Sequence, residues 1–308
     1  MLGTRNTGLI KEALYSERDY TYETVCGGNV TPNGYAPYFC LPENRTGTQK
    51  DQKDIGACVA MTISSIAEAY WNDVLGETGE HSEGFVYGKF RLPNSTQWGL
   101  VVSIAMEKWV ELGTLPKSNF DILMEMPEMK AVVDKYPELL DIAKKYKLSA
   151  FARLRSNGYS TRDDQIKDAL LRYDYGLVAI DDRHCMQLVG WDDDNHQYIL
   201  KDSYNNGFKK YDKDDIEQVW LPIFEPIKLP FTDIDENSWS YPAIRNLYLS
   251  GMINGTSETT MEPKRNITRE EVFYLVDKLM KENQKTQQLL NKVTQEKEAL
   301  IEQGYKVL

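Results

Sequence analysis

The chain has 308 residues and a mass of 35.5 kDa, which favours about two domains at roughly 150 residues each. It carries 36 basic and 47 acidic side chains, for a formal net charge of -11. That much negative charge disfavours nucleic-acid binding and a polybasic attachment to a membrane surface. No run of apolar residues is long enough to predict a transmembrane helix.

Hydrophobic spacing divides the chain into an early helical part and a later strand-rich part, an α+β arrangement. The first 50 residues have the composition of loops. Helices are predicted from Cys58, over 100–112, within 128–147 and over Asp163–Tyr173. Strands are predicted over 150–154, 176–180, 184–191 and 197–204.

Three prolines within 221–230 indicate a domain edge. Residues 231–282 then predict a helix–loop–helix unit, in which Thr268 and Glu271 have the spacing of a capping box. From Asn283 the chain is polar and helix-favouring. Apolar residues recur at heptad steps, which predicts either a coiled-coil helix that self-associates or a solvated helix without a partner. That seam comprises Val272, Val276, Leu279, Asn283, Thr286, Leu290, Val293, Lys297, Leu300 and Val307.

The four cysteines and three histidines are too few and too scattered for a structural zinc site. We therefore predict no metal and no cofactor. Cys26 and Cys40 could form a disulfide, and their spacing does not decide it. Among the histidines, His81 follows a charged loop and His196 falls in a hairpin turn, so both are expected at the surface. Cys185 alternates with its neighbour along a strand and is expected in the core.

Cys58 opens a predicted helix, where the helix N-terminus favours a thiolate. Gln52, six residues earlier, could supply an amide donor to an oxyanion beside the cysteine. Far downstream, His184 begins a strand and Asp202 ends the next one. A cysteine, a distant histidine and a following acid or amide form a nucleophile, a base and a group that orients the base.

These residues resemble the papain family of cysteine peptidases, over about residues 35 to 220. The similar segments are QKDIGACVAM, WGLVVSIAMEKWVELG and HCMQLVGWDDDNHQYILKDSYNNGF. The resemblance implies the papain-like α+β fold, with a helical left half and an antiparallel right half. It implies these roles: Cys58 as nucleophile, His184 as base, Gln52 as oxyanion donor, Asp202 as orienting group, and Gly99, Trp98 and Tyr204 as substrate-binding residues.

The sequence also departs from the family pattern. The serine before the cysteine is Ala57, the aromatic residue after it is Val59, and the family's Asn-Ser-Trp is Asp202-Ser203-Tyr204. The family's long inhibitory prosegment is missing, so residues 1–34 are a candidate for a short one. A non-catalytic wall-binding or virion structural protein that keeps the papain-like fold is therefore an alternative. So is a Cys–His peptidoglycan hydrolase, although the Asp-Cys-Ser-Gly motif of the NlpC/P60 type is absent.

The unit after the prolines resembles an S-layer homology module. The pattern is carried by Phe231, Asp233, Trp239, Ala243, Ile244, Leu247, Gly251, Ile253, Gly255, Pro263, Ile267, Thr268, Arg269 and Glu271. The resemblance implies binding to acidic secondary cell-wall polysaccharide, through Arg269 and also Asp233 and Trp239. A helix-cap salt bridge is the alternative role for Arg269. Such modules usually occur in threes, so a homotrimer through the C-terminal helix is expected.

The domains are thus predicted as an N-terminal extension (1–34), a papain-like domain (35–226), an S-layer homology domain (227–282) and a C-terminal helix (283–308). The predicted function is a cysteine endopeptidase that cleaves proteins or peptides at a bacterial cell envelope. The first residues do not read as a secretory signal. A phage origin and prior removal of a signal would both be compatible with that observation.

Overall fold

The computed structural model describes most of the chain. The described residues are 9, 21–26, 30, 34–76, 78–91, 98–157, 159–224, 229, 231–235, 238, 240–249, 252–257 and 259–308. Across these ranges, no helix combines the length and the apolar character that a membrane crossing needs.

The observed elements follow the predicted order closely. The helices in the described residues are α1 (Tyr22–Cys26), α2 (Cys58–Leu75), α3 (Glu83–Lys89), α4 (Val102–Leu112), α5 (Glu128–Val133), α6 (Leu139–Ala143), α7 (Arg162–Tyr173), α8 (Tyr241–Leu249) and α9 (Arg269–Glu302). The strands are β1 (Tyr38–Cys40), β2 (Ala150–Leu154), β3 (Leu177–Ile180), β4 (Cys185–Asp192), β5 (Gln197–Lys201), β6 (Phe208–Asp212) and β7 (Gln218–Ile223).

Helix α2 forms the centre of the helical half. Its first turns are buried on every side, as expected for a helix whose apolar residues are not confined to one face. Helices α3 to α6 pack around it in one hydrophobic core that also includes Cys58. The predicted helical zone at 128–147 forms two short helices, because Pro137 interrupts it between α5 and α6.

The second half is an antiparallel sheet with the strand order β2-β7-β3-β4-β5-β6, and β1 pairs with β4. Strand β4 is buried along its whole length because the sheet is covered on both faces. Thr62, one turn into α2, donates a hydrogen bond to the carbonyl oxygen of Cys185 at 3.2 Å. This contact holds the start of α2 against the start of β4, where the predicted nucleophile and base lie.

A buried ionic cluster supports the loop that leads to α2. The ammonium group of Lys50 contacts Glu68, Glu83 (2.6 Å) and Glu80 (3.0 Å), and Lys50, Glu68 and Glu83 are almost inaccessible to solvent. Burial alone would lower the pKa of Lys50, but Glu83 and Glu68 outweigh it and raise that pKa. The cluster therefore keeps its charges paired inside the helical half.

The C-terminal helix packs into the helical half rather than standing apart from it. Helix α9 runs without a break from Arg269 to Glu302, and it buries Leu289, Val293 and Leu300 in the core that contains α2. Beyond it, the backbones of Leu308 and Leu123 exchange hydrogen bonds at 2.8 and 3.3 Å.

Two positions of the predicted coiled-coil seam, Val293 and Leu300, are therefore occupied within the chain. A self-associating seam along the whole helix is not what the structure shows. The capping box at its start is confirmed: Thr268 accepts from the Glu271 amide, and the Glu271 carboxylate accepts from the Thr268 amide.

Four of the scattered cysteine and histidine predictions can be compared with the structure. His196 is exposed in a hairpin turn and Cys185 is buried, as expected. The surface prediction for His81 is wrong: it is buried, and its Nδ1 lies 2.9 Å from the Thr114 hydroxyl. A local charged sequence could not reveal that this residue packs beneath the ionic cluster. Cys26 and Cys40 are both free thiols.

Candidate active site

Cys58 is the first residue of α2 and is fully buried. The preceding residue, Ala57, offers no side-chain cap, so the amide dipoles at the helix start are directed at the cysteine without competition from a capping side chain. Burial raises the pKa of the Cys58 thiol, and the interaction with His184 opposes that rise. Cys58, the predicted nucleophile, therefore depends on His184 to form a thiolate.

The imidazole ring of His184 also contacts Asp202. Nε2 lies 2.8 Å from Oδ1 of Asp202, and both side chains are more than nine-tenths buried. Within the described residues, Nδ1 is buried without a hydrogen-bond partner of good geometry. Cys58 interacts with the same ring, so one ring nitrogen is held by the acid and the other remains for the thiol. The sequence analysis predicted that Cys58, His184 and Asp202 act together, and in the structure His184 interacts with both of the others.

The local charges favour a protonated histidine. Burial would lower the pKa of His184, but the hydrogen bonds to Asp202 and Cys58 outweigh it and raise the pKa to about 9. Burial would raise the pKa of Asp202, but His184 and Lys209 bring it well below its usual range. The shifts of His184 and Asp202 favour an imidazolium beside a carboxylate, whereas the raised pKa of Cys58 favours its neutral thiol.

Gln52 lies in the buried loop before α2 and is tied to the strand segment that carries Asp202. Its backbone N–H donates to the carbonyl oxygen of Ser203 at 2.8 Å, and its Oε1 accepts from the Ser203 hydroxyl at 2.6 Å. Its Nε2 donates to the carbonyl oxygen of Ile55 at 2.9 Å. The Ile55 carbonyl oxygen, which can only accept, fixes which end of the amide is nitrogen, and the Ser203 hydroxyl holds Oε1.

Tyr204 was predicted as a substrate-binding residue, and the structure places it against the histidine. Its ring stacks on the ring of His184, with centroids 5.2 Å apart and an interplanar angle of 25°. A flat ring over the imidazole limits the access of water to the hydrogen bond between His184 and Asp202. Tyr204 therefore contacts the base directly, and contact with substrate stays a prediction.

Gly99 and Trp98 precede α4, as the substrate-binding prediction requires. Gly99 is buried with φ at 102°, a backbone conformation that favours glycine. Trp98 is 47% exposed. Leu9, from the predicted N-terminal extension, forms a parallel bridge with Leu100, next to Gly99.

The predicted wall-binding residues have different surroundings. Asp233 accepts from the backbone amides of Met261 and Glu262, at 2.9 and 2.7 Å, which uses both carboxylate oxygens to hold a loop. Arg269 is exposed at the start of α9, and its guanidinium has no ion-pair partner among the residues described in the structure. Trp239 lies outside the described residues.

Glycine at 255 is required by close packing. A Cβ there would come within 2.6 Å of Phe231, Ser257 and Thr260.

Comparison with solved structures gives the fold. Xylellain, a cysteine protease from Xylella fastidiosa, superposes with a TM-score of 0.54 at 15% identity, over 73% of this chain and 99% of that chain. Digestive procathepsin L 3 of Tenebrio molitor larval midgut superposes with a TM-score of 0.52 at 15% identity, over 71% of this chain and 76% of that chain. The α+β part of the chain therefore has a papain-like cysteine protease fold, as predicted.

The second unit is identified from sequence. Residues 230–273 match the family model of the S-layer homology domain. A stretch of 40 residues is 48% identical to an endoglucanase of Bacillus sp. (strain KSM-635), which is 13% of this chain and 4% of the endoglucanase. The chain thus combines a papain-like fold with an S-layer homology domain.

Two residues of the site were not singled out from the sequence. Lys209 places Nζ 2.8 Å from Oδ2 of Asp202, and Ser203 orients Gln52. Lys209 sits in a strand beside a second lysine, and strand alternation alone does not say which of the two points to the site. Ser203 belongs to the Asp202-Ser203-Tyr204 motif, but the sequence does not show that it contacts Gln52, because the two residues are 151 positions apart.

Proposed function

We propose that the protein is a cysteine endopeptidase that cleaves proteins or peptides at a bacterial cell envelope. The observation that supports this best is the buried hydrogen bond between His184 and Asp202 beside Cys58 at the start of α2. A thiol, an imidazole and a carboxylate in this order are the parts that nucleophilic acyl transfer needs.

In the proposed reaction, the Cys58 thiolate attacks the carbonyl carbon of a peptide bond. The oxyanion that forms is stabilised by the Cys58 backbone N–H and by the Gln52 amide. His184 gives its proton to the leaving amine, which releases the first product and leaves a thioester. His184 then takes a proton from water as the hydroxide adds to the thioester carbonyl, and cleavage of the C–S bond releases the second product as a carboxylic acid and restores the Cys58 thiolate beside protonated His184. Asp202 orients His184 throughout.

The S-layer homology domain would hold the enzyme at its substrate. In this proposal Arg269 contributes the positive charge that an acidic cell-wall polysaccharide attracts, since it is exposed and unpaired among the described residues. Local binding of an anion is compatible with a chain of net charge -11, because screening limits the reach of distant charges to about 10 Å. The substrates would then be envelope proteins or peptides.

The peptidase proposal is tested by alkylation and cleavage. Iodoacetamide at neutral pH should modify Cys58 in the native protein faster than the other thiols, and Cys58→Ala should abolish that fast phase. Cys40→Ala is the matched control, because Cys40 is a half-buried free thiol outside the site. Absence of a fast phase would indicate a non-catalytic scaffold. Cleavage of purified peptidoglycan but not of proteins would instead indicate a wall hydrolase.

The anchoring proposal is tested by sedimentation with purified cell walls. Arg269→Ala should weaken binding on the order of tenfold, the effect of about 1.4 kcal/mol. Lys285→Ala removes the same charge from an exposed position further along α9 and should leave binding unchanged. Equal binding of all three proteins would contradict the role of Arg269.

A further inference from the structure

The carboxylate at the orienting position has a second partner. Asp202 uses Oδ1 for His184 and Oδ2 for the ammonium group of Lys209, each at 2.8 Å. The carboxylate is 4% exposed, whereas the lysine side chain is 41% exposed. Lys209 therefore reaches from the solvent side of the sheet to a buried acid, and Asp202 is held from two directions.

The backbone explains why Lys209 reaches this position. Asp202 follows β5 directly, its N–H donates to the carbonyl oxygen of Gly207 at 3.4 Å, and β6 returns antiparallel beside β5 with Lys209 opposite Leu200. Successive residues of a strand point to opposite faces. Lys210 accordingly pairs with Asp192 at 2.6 Å, away from the catalytic cluster.

The charge count indicates what the second partner does. In the family pattern noted above, an asparagine orients the histidine, so thiolate and imidazolium balance each other. Here the orienting group is a carboxylate, and Cys58, His184 and Asp202 together would carry one excess negative charge. The Lys209 ammonium restores neutrality. A buried excess charge is costly, and it would also bind the proton of His184 too tightly for transfer to a leaving amine.

We propose that Lys209 is a positioning residue of the active site, which neutralises Asp202 and holds its carboxylate so that His184 can act as a general acid. The proposal rests on the proposed peptidase function for its kinetic consequence. Lys209 does not act on substrate itself; it acts through Asp202.

The charged and titratable groups around this pair are few. Cys58 and Asp202 interact with His184, and Oδ1 of Asp181 accepts from the His184 backbone N–H at 2.6 Å. Tyr211 lies near Asp202 and Asp181, and burial with these acids raises its pKa to about 12, which keeps it neutral at physiological pH. Lys209 is thus the cation that contacts Asp202 besides His184 among the described residues.

The test compares Lys209→Met with Lys210→Met, which removes the same charge from the next residue of the strand. Lys209→Met should lower kcat for a peptide substrate on the order of tenfold, with KM unchanged. Lys210→Met should match the wild type, and Lys209→Arg should recover most of the activity. Equal kcat values for Lys209→Met and Lys210→Met would overturn the proposal.

Two further measurements separate positioning from stability and from the peptidase function. In an Asp202→Asn background no charge remains to be neutralised, so adding Lys209→Met should change kcat by less than about twofold. NMR titration of the His184 ring needs no substrate: Lys209→Met should raise its pKa by about half a unit, because a nearby positive charge is lost. Unchanged titration would refute the role of Lys209 even in an active enzyme. Absence of any wild-type cleavage, together with the shifted titration, would instead reject only the peptidase function.

Discussion

The Ser203 hydroxyl donates a hydrogen bond to Oε1 of Gln52 at 2.6 Å, between residues 151 positions apart in the chain. The backbone N–H of Gln52 returns to the carbonyl oxygen of Ser203 at 2.8 Å. This double connection joins the loop before the nucleophile to the segment that carries Asp202. The proposed oxyanion donor and the orienting acid therefore share one support.

The first prediction concerns that support. Ser203→Ala should lower kcat on the order of tenfold, because Oε1 of Gln52 loses the hydroxyl that holds it in place. Gln52→Ala should cost more, roughly 10²- to 10³-fold, as expected for loss of an oxyanion donor. Steady-state kinetics with a peptide substrate would measure both. The rate of Cys58 alkylation should change little in either variant, since alkylation forms no oxyanion; a large drop would indicate damage to the nucleophile instead.

The second prediction is the alkaline limit of activity. The pKa of His184 is raised to about 9 by Asp202 and Cys58, against burial. The imidazolium therefore persists through neutral pH, and kcat/KM should fall as pH rises through about 9. Asp202→Asn removes the negative charge that favours the imidazolium, so the limit should move to lower pH. A limit that stays in place in this variant would contradict the assignment.

The same groups predict how stability depends on pH. The folded-state pKa of His184 lies above the value of 6.5 for a free side chain, so its contribution is fully present below pH 6.5 and is lost towards pH 9. The pKa of Asp202 is lowered, so its contribution is present above its ordinary value near 4 and is lost in acid. The midpoint of thermal unfolding should be higher at pH 6 than at pH 9. Asp202→Asn should reduce that difference.

The next prediction concerns the buried ionic cluster around Lys50. Glu68 is fully buried and accepts hydrogen bonds from Lys50, from Thr48 and from the backbone of His81. Glu68→Gln leaves Lys50 with Glu83 and Glu80 but turns an amide NH2 towards donors that need an acceptor, and it should lower the free energy of unfolding by about 1 to 3 kcal/mol. Glu80→Gln is the control, because that side chain is 41% exposed and should cost less than about 1 kcal/mol. Urea denaturation would compare the two.

The last prediction tests whether α9 is part of the papain-like domain. Leu300 is 6% exposed in the core that contains Cys58, and Leu300→Ala should cost about 2 to 5 kcal/mol. Val276 lies on the same helix but is 47% exposed, and Val276→Ala should cost less than about 0.5 kcal/mol. Equal effects on the unfolding of the papain-like domain would mean that the helix is independent of it.

Prediction from sequence succeeded where the signal was local. The helix that begins at Cys58, the buried strands and the Thr268 capping box each follow from spacing within a few residues. It failed where the deciding contact was distant. His81 looked like a surface residue from its charged neighbours, yet tertiary packing buries it against Thr114. The heptad pattern of α9 left a self-associating helix and a solvated helix open, and it did not reveal that Leu289, Val293 and Leu300 pack into the core around α2.

The sequence by itself determined the chemical inventory: a cysteine at a helix start, a histidine and an acid on late strands, and a short module with its own pattern of glycines and apolar residues. Those features depend on residue type and local spacing, which can be read along the chain. The tertiary structure alone decided which residues position the cysteine, the histidine and the acid. Lys209 rather than Lys210 faces Asp202, and Ser203 fixes Gln52, because strand pairing brings together segments that the sequence keeps far apart.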